Sequence, residues 1–449
     1  MDYYRLFVLY GDNNYMREFL KKQPTVRIIA IGFALAILIG SALLILPCSL
    51  REGVRLSYID ALYTSTSAVC VTGLVVVDSA NTFTPLGRFF LIMLIQIGGL
   101  GVTTIGTGII LALGKKMDLK ERNLIKDTLI YNSGKGISKF LRDVFLTTLI
   151  IEFIGAALGL IVFAQDYPIG EAIGISVFHS IASFNNSGFD IFGDFQSISP
   201  YQNNVFLNLL TSALIFTGGI GFLVIKDLIN KKFRWKKLTM HSKIVLTFSL
   251  VLIILGTLLF KLTEKNNISW LGAFFTSVSA RTAGFASYSI GAFSTAGLLV
   301  LIVLMFIGAS PGSTGGGIRT TTFFVVMRNI FSSATNKKEN AFHYSIPKET
   351  TKKAYTIFIV GLFVIMLSTF LVCIFEPQIA FTDVLFEMTS AFGTVGLSTG
   401  ITPSLSVASK IISILVMYIG RLGPMTILTM WYFSAGDAVR FPEGNISVG

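Results

Sequence analysis

Charge is scarce in this sequence: 13% of its 449 residues are charged and 53% are apolar, where an ordinary soluble chain carries about 25% charge. That scarcity excludes a soluble multidomain enzyme. It also excludes a disordered tail, which needs high charge and few apolar residues to escape collapse. Cysteine is nearly lacking. Cys48, Cys70 and Cys373 share no spacing that suggests a disulfide framework or a metal site, so they are expected to be reduced packing residues. Histidine is as sparse, and His179, His241 and His343 are too scattered to form a ligand cluster. Acids are outnumbered, 24 against 36 Lys and Arg, for a net charge of +12. In a soluble protein that excess would suggest nucleic acid; here its placement along the chain decides.

What is abundant is apolar sequence in windows long enough to cross a bilayer, near 26–48, 86–113, 143–165, 204–230, 242–261, 291–309, 354–375 and 406–432. Between the members of each successive pair lies a shorter, half-polar segment, near 58–72, 172–187, 270–283 and 382–395. These are too short to span and are expected to re-enter from one side, which is tolerated only where protein or a watery cavity satisfies the backbone. With eight spans both chain ends share a side, and 28 of the 36 basic residues fall on that side. The positive-inside rule makes it cytoplasmic, so the charge reports orientation and no nucleic-acid partner is expected. The opposite face carries eleven acids against seven bases, a mildly acidic vestibule that concentrates cations. Met1 to Lys22 lacks the apolar core of a cleavable signal and is expected to lie on the cytoplasmic surface.

The short segments superpose on a glycine: LYTSTSAVCVTG ends at Gly73, VFHSIASFNNSG at Gly188, AFFTSVSARTAG at Gly284 and LFEMTSAFGTVG at Gly396. No gap is needed. The second spans superpose on Gly98, Gly218, Gly308 and Gly420, at consistent offsets from the first set. Two independent sets of matches make an internal four-fold repeat the governing expectation. The fold expected is all-α and polytopic: four repeats of helix, re-entrant pore helix with filter loop, and helix, arranged with pseudo-four-fold symmetry around one pore. The expected units are a cytoplasmic segment 1–25, repeat 1 at 26–113, a connection 114–142, repeat 2 at 143–230 and a connection 231–241. Repeat 3 follows at 242–330, then a connection 331–351, repeat 4 at 352–436 and a tail 437–449.

Four short helices entering from outside would point their partially negative carboxyl ends at a dehydrated cation. The glycines would let successive carbonyls turn to one axis. The candidate ion-binding strands are therefore Cys70, Val71, Thr72 and Gly73; Asn185, Asn186, Ser187 and Gly188; Arg281, Thr282, Ala283 and Gly284; and Gly393, Thr394, Val395 and Gly396. The competing reading is that the glycines only permit close helix packing. Asn185 and Asn186 offer amide oxygens or brace the strand; His179 reads as a packing residue. Arg281 in the path would repel cations, so it is expected to point away, with Glu387 as a partner.

The motifs VCVTGL, FNNSGF, ARTAGF and FGTVGL, with GASPGSTGGGIRTTT and IGRLGPMTI, resemble the superfamily of potassium transporters that includes bacterial Ktr and Trk membrane subunits and plant HKT proteins. The likeness covers essentially the whole chain and is nearest to KtrB-like membrane subunits, since no extra spans precede the first repeat. It implies one pore per chain in a homodimer, in a bacterial plasma membrane with both termini cytoplasmic. It also implies a KtrA-like cytoplasmic regulatory ring carrying ATP or ADP, potassium as the transported ion, sodium as an activator, and no cofactor on this chain. The strands lack an aromatic–glycine continuation, so fewer equivalent carbonyl rings are expected than in a four-fold identical filter.

The third repeat's second span is interrupted by GASPGSTGGG, a run no continuous helix should contain. A phosphate-binding loop would need a GKS or GKT ending, which is missing. An irregular backbone lining a cavity fits better, and in the family resembled this segment is the intramembrane gate, here Gly312, Ser313, Thr314, Gly315, Gly316 and Gly317. Arg421 is the one basic residue deep in a span, a placement costly without water or a partner. It reads either as a barrier to cations that cooperates with the 312–317 loop or as a structural anchor to loop carbonyls. A secondary transporter with a broken helix and alternating access is the rival function; a membrane enzyme lacks any convergent nucleophile, base or paired carboxylates. The basic connections 114–142 and 226–243 suit a regulatory ring or the lipid surface equally.

Overall fold

A computed structural model describes residues 25–101, 104 and 137–430. The segment Met1–Lys22, most of the 114–142 connection and the 437–449 tail lie outside the described residues. The first helices are α1 (Thr25–Ile45), α2 (Tyr58–Val69), the single turn α3 (Ser79–Thr82) and α4 (Pro85–Leu100). Next come α5 (Ile137–Phe163), α6 (Ile169–Phe184), α7 (Val205–Ile220) and α8 (Phe222–Asn230). They are followed by α9 (Met240–Glu264), α10 (Trp270–Ser279), α11 (Thr295–Phe306) and α12 (Thr320–Ala334). An antiparallel ribbon of β1 (Asn340–Ala341) and β2 (Tyr344–Ser345) leads to α13 (Lys348–Phe375), α14 (Phe381–Gly393), α15 (Val407–Leu422) and α16 (Pro424–Met430).

The long helices α1, α5, α9 and α13 contain the four stretches among the described residues that are long and apolar enough to cross a membrane. Their outward faces are apolar, with Ile39, Phe153 (75% exposed), Ile254 and Phe363 largely exposed; such faces match lipid. The short helices α2, α6, α10 and α14 are buried and rich in hydroxyls. Those hydroxyls return to carbonyls one turn earlier, as Thr66 Oγ1 to Leu62 O at 2.7 Å and Ser176 Oγ to Ala172 O at 2.6 Å, or reach a long helix, as Ser65 to Ile37 O, Ser180 to Glu152 O and Ser277 to Ile253 O. At such depth a donor left without an acceptor is costly, and these bonds avoid that cost.

The last three contacts correct the gap-free superposition. Ser65 and Ser180 stand eight residues before Gly73 and Gly188, whereas Ser277 stands seven before Gly284. The third short helix is one residue out of step with the first two.

Each short helix packs on the long helix before it, and α4, α7, α11 and α15 then pack on α6, α10, α14 and α2 respectively, so that the last contact returns to the first element. These four second helices start alike, with Thr84, Asn204, Ser294 and Ser406 accepting from the amide three residues on, the usual N-cap bond.

They also end early, which overturns the expectation of unbroken spans at 86–113, 204–230 and 406–432. α4, α7 and α15 stop at Gly101 (φ 84°), Gly221 (φ 89°) and Gly423 (φ 90°), all with ψ near 140°, a conformation closed to residues with a Cβ. After Gly221 the chain turns by 96° into α8. α11 is shorter still and gives way to the glycine-rich loop. Cys70 is buried and Cys373 half-buried, but Cys48 is exposed and does not pack as expected.

Candidate functional site

Each short helix ends in the same sequence of backbone conformations. After the last turn one residue is left-handed, Val71 (φ 56°), Asn186 (56°), Thr282 (77°) and Thr394 (49°); two residues later comes a glycine with positive φ, Gly73 (89°), Gly188 (68°), Gly284 (78°) and Gly396 (96°). The turn is closed by a bond from the residue before the glycine to the last helical turn: Thr72 N to Ser67 O at 2.7 Å, Ser187 N to Ala182 O at 2.9 Å and Val395 N to Ser390 O at 2.9 Å. In the third copy Ala283 N reaches Ser279 O at 2.9 Å, and Gly284 N shares that acceptor at 3.3 Å. β-Branched residues avoid the left-handed region, and holding Val71, Thr282 and Thr394 there costs about 1–3 kcal/mol each. Strain so repeated must be imposed by the surroundings.

The surroundings are the other copies. A methyl group added to Gly73 would collide with Ser187 O, one on Gly188 with Ala283 O, one on Gly284 with Val395 O and one on Gly396 with Thr72 O. Four strands from four distant parts of the chain thus touch in the closed order 73, 188, 284, 396. The residues of the four candidate strands are buried, apart from the half-buried Gly396. The hydroxyls of Thr72 and Thr394 have no hydrogen-bond partner, and Asn186 meets Thr282 Oγ1 at 3.2 Å across two strands. The groups gathered here are neutral oxygens.

The 308–317 loop lies against this ring. Gly315 abuts the Thr282 side chain, Gly316 that of Thr394, and Gly317 the backbone of Gly393. Backbone bonds tie the loop to the ends of neighbouring helices: Ser310 N to Gly219 O (3.1 Å), Thr314 N to Gly218 O (3.4 Å), Phe222 N to Gly312 O (3.0 Å) and Gly317 N to Gly420 O (3.2 Å). Thr320 closes its base through Gly308 O at 2.9 Å. Ser313 Oγ bonds Ser310 O at 2.6 Å.

Three arginines are packed in or beside this assembly. Arg421, 8% exposed, donates to Thr314 O of the loop and to Gly98 O and Gly99 O of α4. Its fork bridges two elements by backbone carbonyls, as the anchor reading expects. Arg319 donates to Ser310 O and Gly315 O from the loop's other end; the sequence reading did not single it out. Arg281 points away from the ring, as expected, but not to Glu387: it reaches Ser249 O (3.3 Å), Ser249 Oγ (3.1 Å) and Thr320 Oγ1 (3.2 Å). Glu387 is engaged by Thr402 Oγ1 and by Ser398 Oγ at 3.3 Å in the segment that follows Gly396. His179 packs between Phe163 and Phe285 with Nε2 2.8 Å from Thr211 Oγ1, a packing residue as read. Glu152 was missed altogether, although a lone acid within TLIIEFIGAALGL was signal enough; its carboxylate meets Asn185 and Gln96.

Known proteins resemble this chain in sequence and in fold. A family model described as a cation transport protein, TrkH, matches residues 35–434. Ktr system potassium uptake protein B of Bacillus subtilis is 38% identical over 434 residues, spanning 94% of this chain and 96% of its own. Potassium/sodium uptake protein NtpJ of Enterococcus hirae is 36% identical over 445 residues, 96% of this chain and 98% of its own. The crystal structure of the potassium transporter TrkH from Vibrio parahaemolyticus aligns over 91% of this chain and 85% of that one with a TM-score of 0.71; at 18% identity the likeness is one of fold. The chain described here belongs to the TrkH family of cation transport proteins.

Proposed function

We propose that this protein takes potassium into the cell through a single-file path at the ring of Gly73, Gly188, Gly284 and Gly396. The closure of that ring, strand on strand, is the observation that carries the reading. Carbonyl oxygens brought to one axis can replace the water a potassium ion sheds, and the strained left-handed residues before them hold the oxygens in place without reorganisation. Cys70, Asn185, Arg281 and Gly393 stand at the back of the strands as supports. The chain is organised as four repeats, 26–113, 143–230, 242–330 and 352–436, around that path, with connections 114–142, 231–241 and 331–351 and both termini in the cytoplasm of a bacterial cell.

The 312–317 loop, seated beneath Thr282 and Thr394, is the gate, and Arg421 is its latch. Relatives named for a Ktr system and for potassium and sodium uptake support two further elements: a cytoplasmic nucleotide-binding regulatory subunit that moves the gate, and sodium as a second ion of the cycle. A homodimer with one path per chain completes the assembly.

The test is reconstitution of the purified chain into liposomes under potassium, rubidium and sodium gradients, with and without the nucleotide-binding partner and ATP or ADP. Potassium flux above sodium flux, raised by the partner, is expected. Flux at carrier rates that collapses without an opposing or accompanying ion gradient would point to alternating access instead.

A further inference from the structure

Glu152 lies in the middle of α5, 6% exposed, on a helix otherwise apolar at that depth. Ser180 Oγ bonds its backbone carbonyl at 2.7 Å, as Ser65 bonds Ile37 O and Ser277 bonds Ile253 O. An acid therefore stands where two matched positions have isoleucine. An intramembrane acid is costly and calls for a role. Among the described residues no Lys, Arg or His ion-pairs with it. Its partners are two carboxamides: Asn185 Nδ2 donates to Oε1 at 3.0 Å and Gln96 Nε2 to Oε2 at 3.3 Å. Asn185 Nδ2 also donates to Gln96 Oε1 at 2.8 Å and to Ile181 O at 2.9 Å.

Asn185 is the residue that ends α6, immediately before left-handed Asn186 and three before Gly188. With three acceptors around its nitrogen its amide has one orientation, and its oxygen, without a hydrogen-bond partner, faces the bare backbone of Gly99.

We propose that Glu152 is a positioning residue for ion selection: with Gln96 it clamps the Asn185 side chain and so sets where the carbonyls of the second strand stand. The inference rests on the ring being the selecting site. A carboxylate only accepts, and both neighbours present donors to it. A carboxamide in its place must aim a donor at one of them, so Glu152→Gln keeps the volume and loses a bond. Gln96→Leu removes the other arm of the clamp, the one that α4 contributes.

The experiment measures the potassium-to-sodium flux ratio in liposomes for Glu152→Gln, Gln96→Leu and the double variant, each first checked for a monodisperse fold. Each single change is expected to lower the ratio about three- to tenfold, the effect of one hydrogen bond. The double variant should fall no further than the worse single one, because both act on one clamp. A wild-type ratio in Glu152→Gln and Gln96→Leu overturns the proposal. Gly396→Ala is run beside them: if it changes the ratio while the clamp variants do not, only the clamp fails; if none of them does, the ring reading fails as well.

Discussion

Glu376, just beyond α13, accepts from Ser406 N at 2.7 Å and Ser409 Oγ at 2.8 Å and so fastens the first turn of α15. Burial alone would raise its pKa, but these donors outweigh it and hold the carboxyl below the ordinary glutamate value. A depressed folded pKa stabilises the protein above the unfolded value, near 4.3, and that stability is lost as pH falls through the folded value. The carboxylate is partly solvated, so the contribution is about 0.5–1 kcal/mol. Thermal unfolding in detergent should show Glu376→Gln less stable than wild type at pH 7 and equal to it near pH 3; an equal loss at both would remove the linkage. Arg421 is separable in a similar way. Lysine keeps the charge but cannot fork to Thr314 O and Gly98 O together. If the latch is the bridge, Arg421→Lys and Arg421→Ala both raise potassium flux, about ten- to a hundredfold for the loss of charge-assisted bonds. If the residue is an electrostatic barrier, only the alanine variant does. The ring glycines and Arg421 were legible in the sequence because each breaks a local rule, glycine among apolar residues or a charge in a span. The partners of Arg421 in α4 were not, since the backbone carbonyls of Gly98 and Gly99, more than three hundred residues away, carry no side-chain signature.

At the scale of elements, hydropathy located all four short helices to within a few residues but joined second helices that are in fact broken. An apolar window measures transfer from water and is blind to a single backbone reversal, so Ile220 and Phe222 read as one span although the chain turns by 96° between their helices. The usable signal was spacing: glycine recurs three residues after Gly98, Gly218 and Gly420, and those later glycines hold the breaks. Their roles differ by surroundings. A methyl at Gly423 would meet nothing nearer than Thr426 Oγ1 at 3.9 Å, so Gly423→Ala should cost only backbone strain, about 1–3 kcal/mol. A methyl at Gly221 would also come within 2.9 Å of Pro311 O at the start of the loop. Gly221→Ala is therefore expected to change potassium flux as well as thermal stability, whereas Gly423→Ala changes stability alone. Flux altered equally in both would show that the loop is not coupled to α8.

Over the whole molecule, a ring assembled from one polypeptide need not be regular, and the four ring glycines are not equivalent in tolerance. Gly188 has the smallest positive φ, 68°, nearest to the left-handed basin that residues with a Cβ can enter. A methyl there would stand 2.8 Å from Ala283 O, the loosest of the four collisions with a neighbouring carbonyl. Gly73 and Gly396 lie at 89° and 96°, beyond that basin, and a methyl on either would overlap the next strand's carbonyl more deeply. Motif comparison treats the four as copies, because a glycine letter records permission for a conformation and not the conformation used. Alanine placed at each position in turn should therefore leave most potassium uptake at 188, less at 284 and least at 73 and 396. The spread between 188 and 396 should be tenfold or more if it reflects about 1.4 kcal/mol of added strain. Uptake by cells lacking their own potassium transporters, normalised to membrane expression, measures the series. Four equal losses would mean that the ring relaxes to symmetry, and a worst case at 188 would contradict the strand order on which the proposed ion path rests.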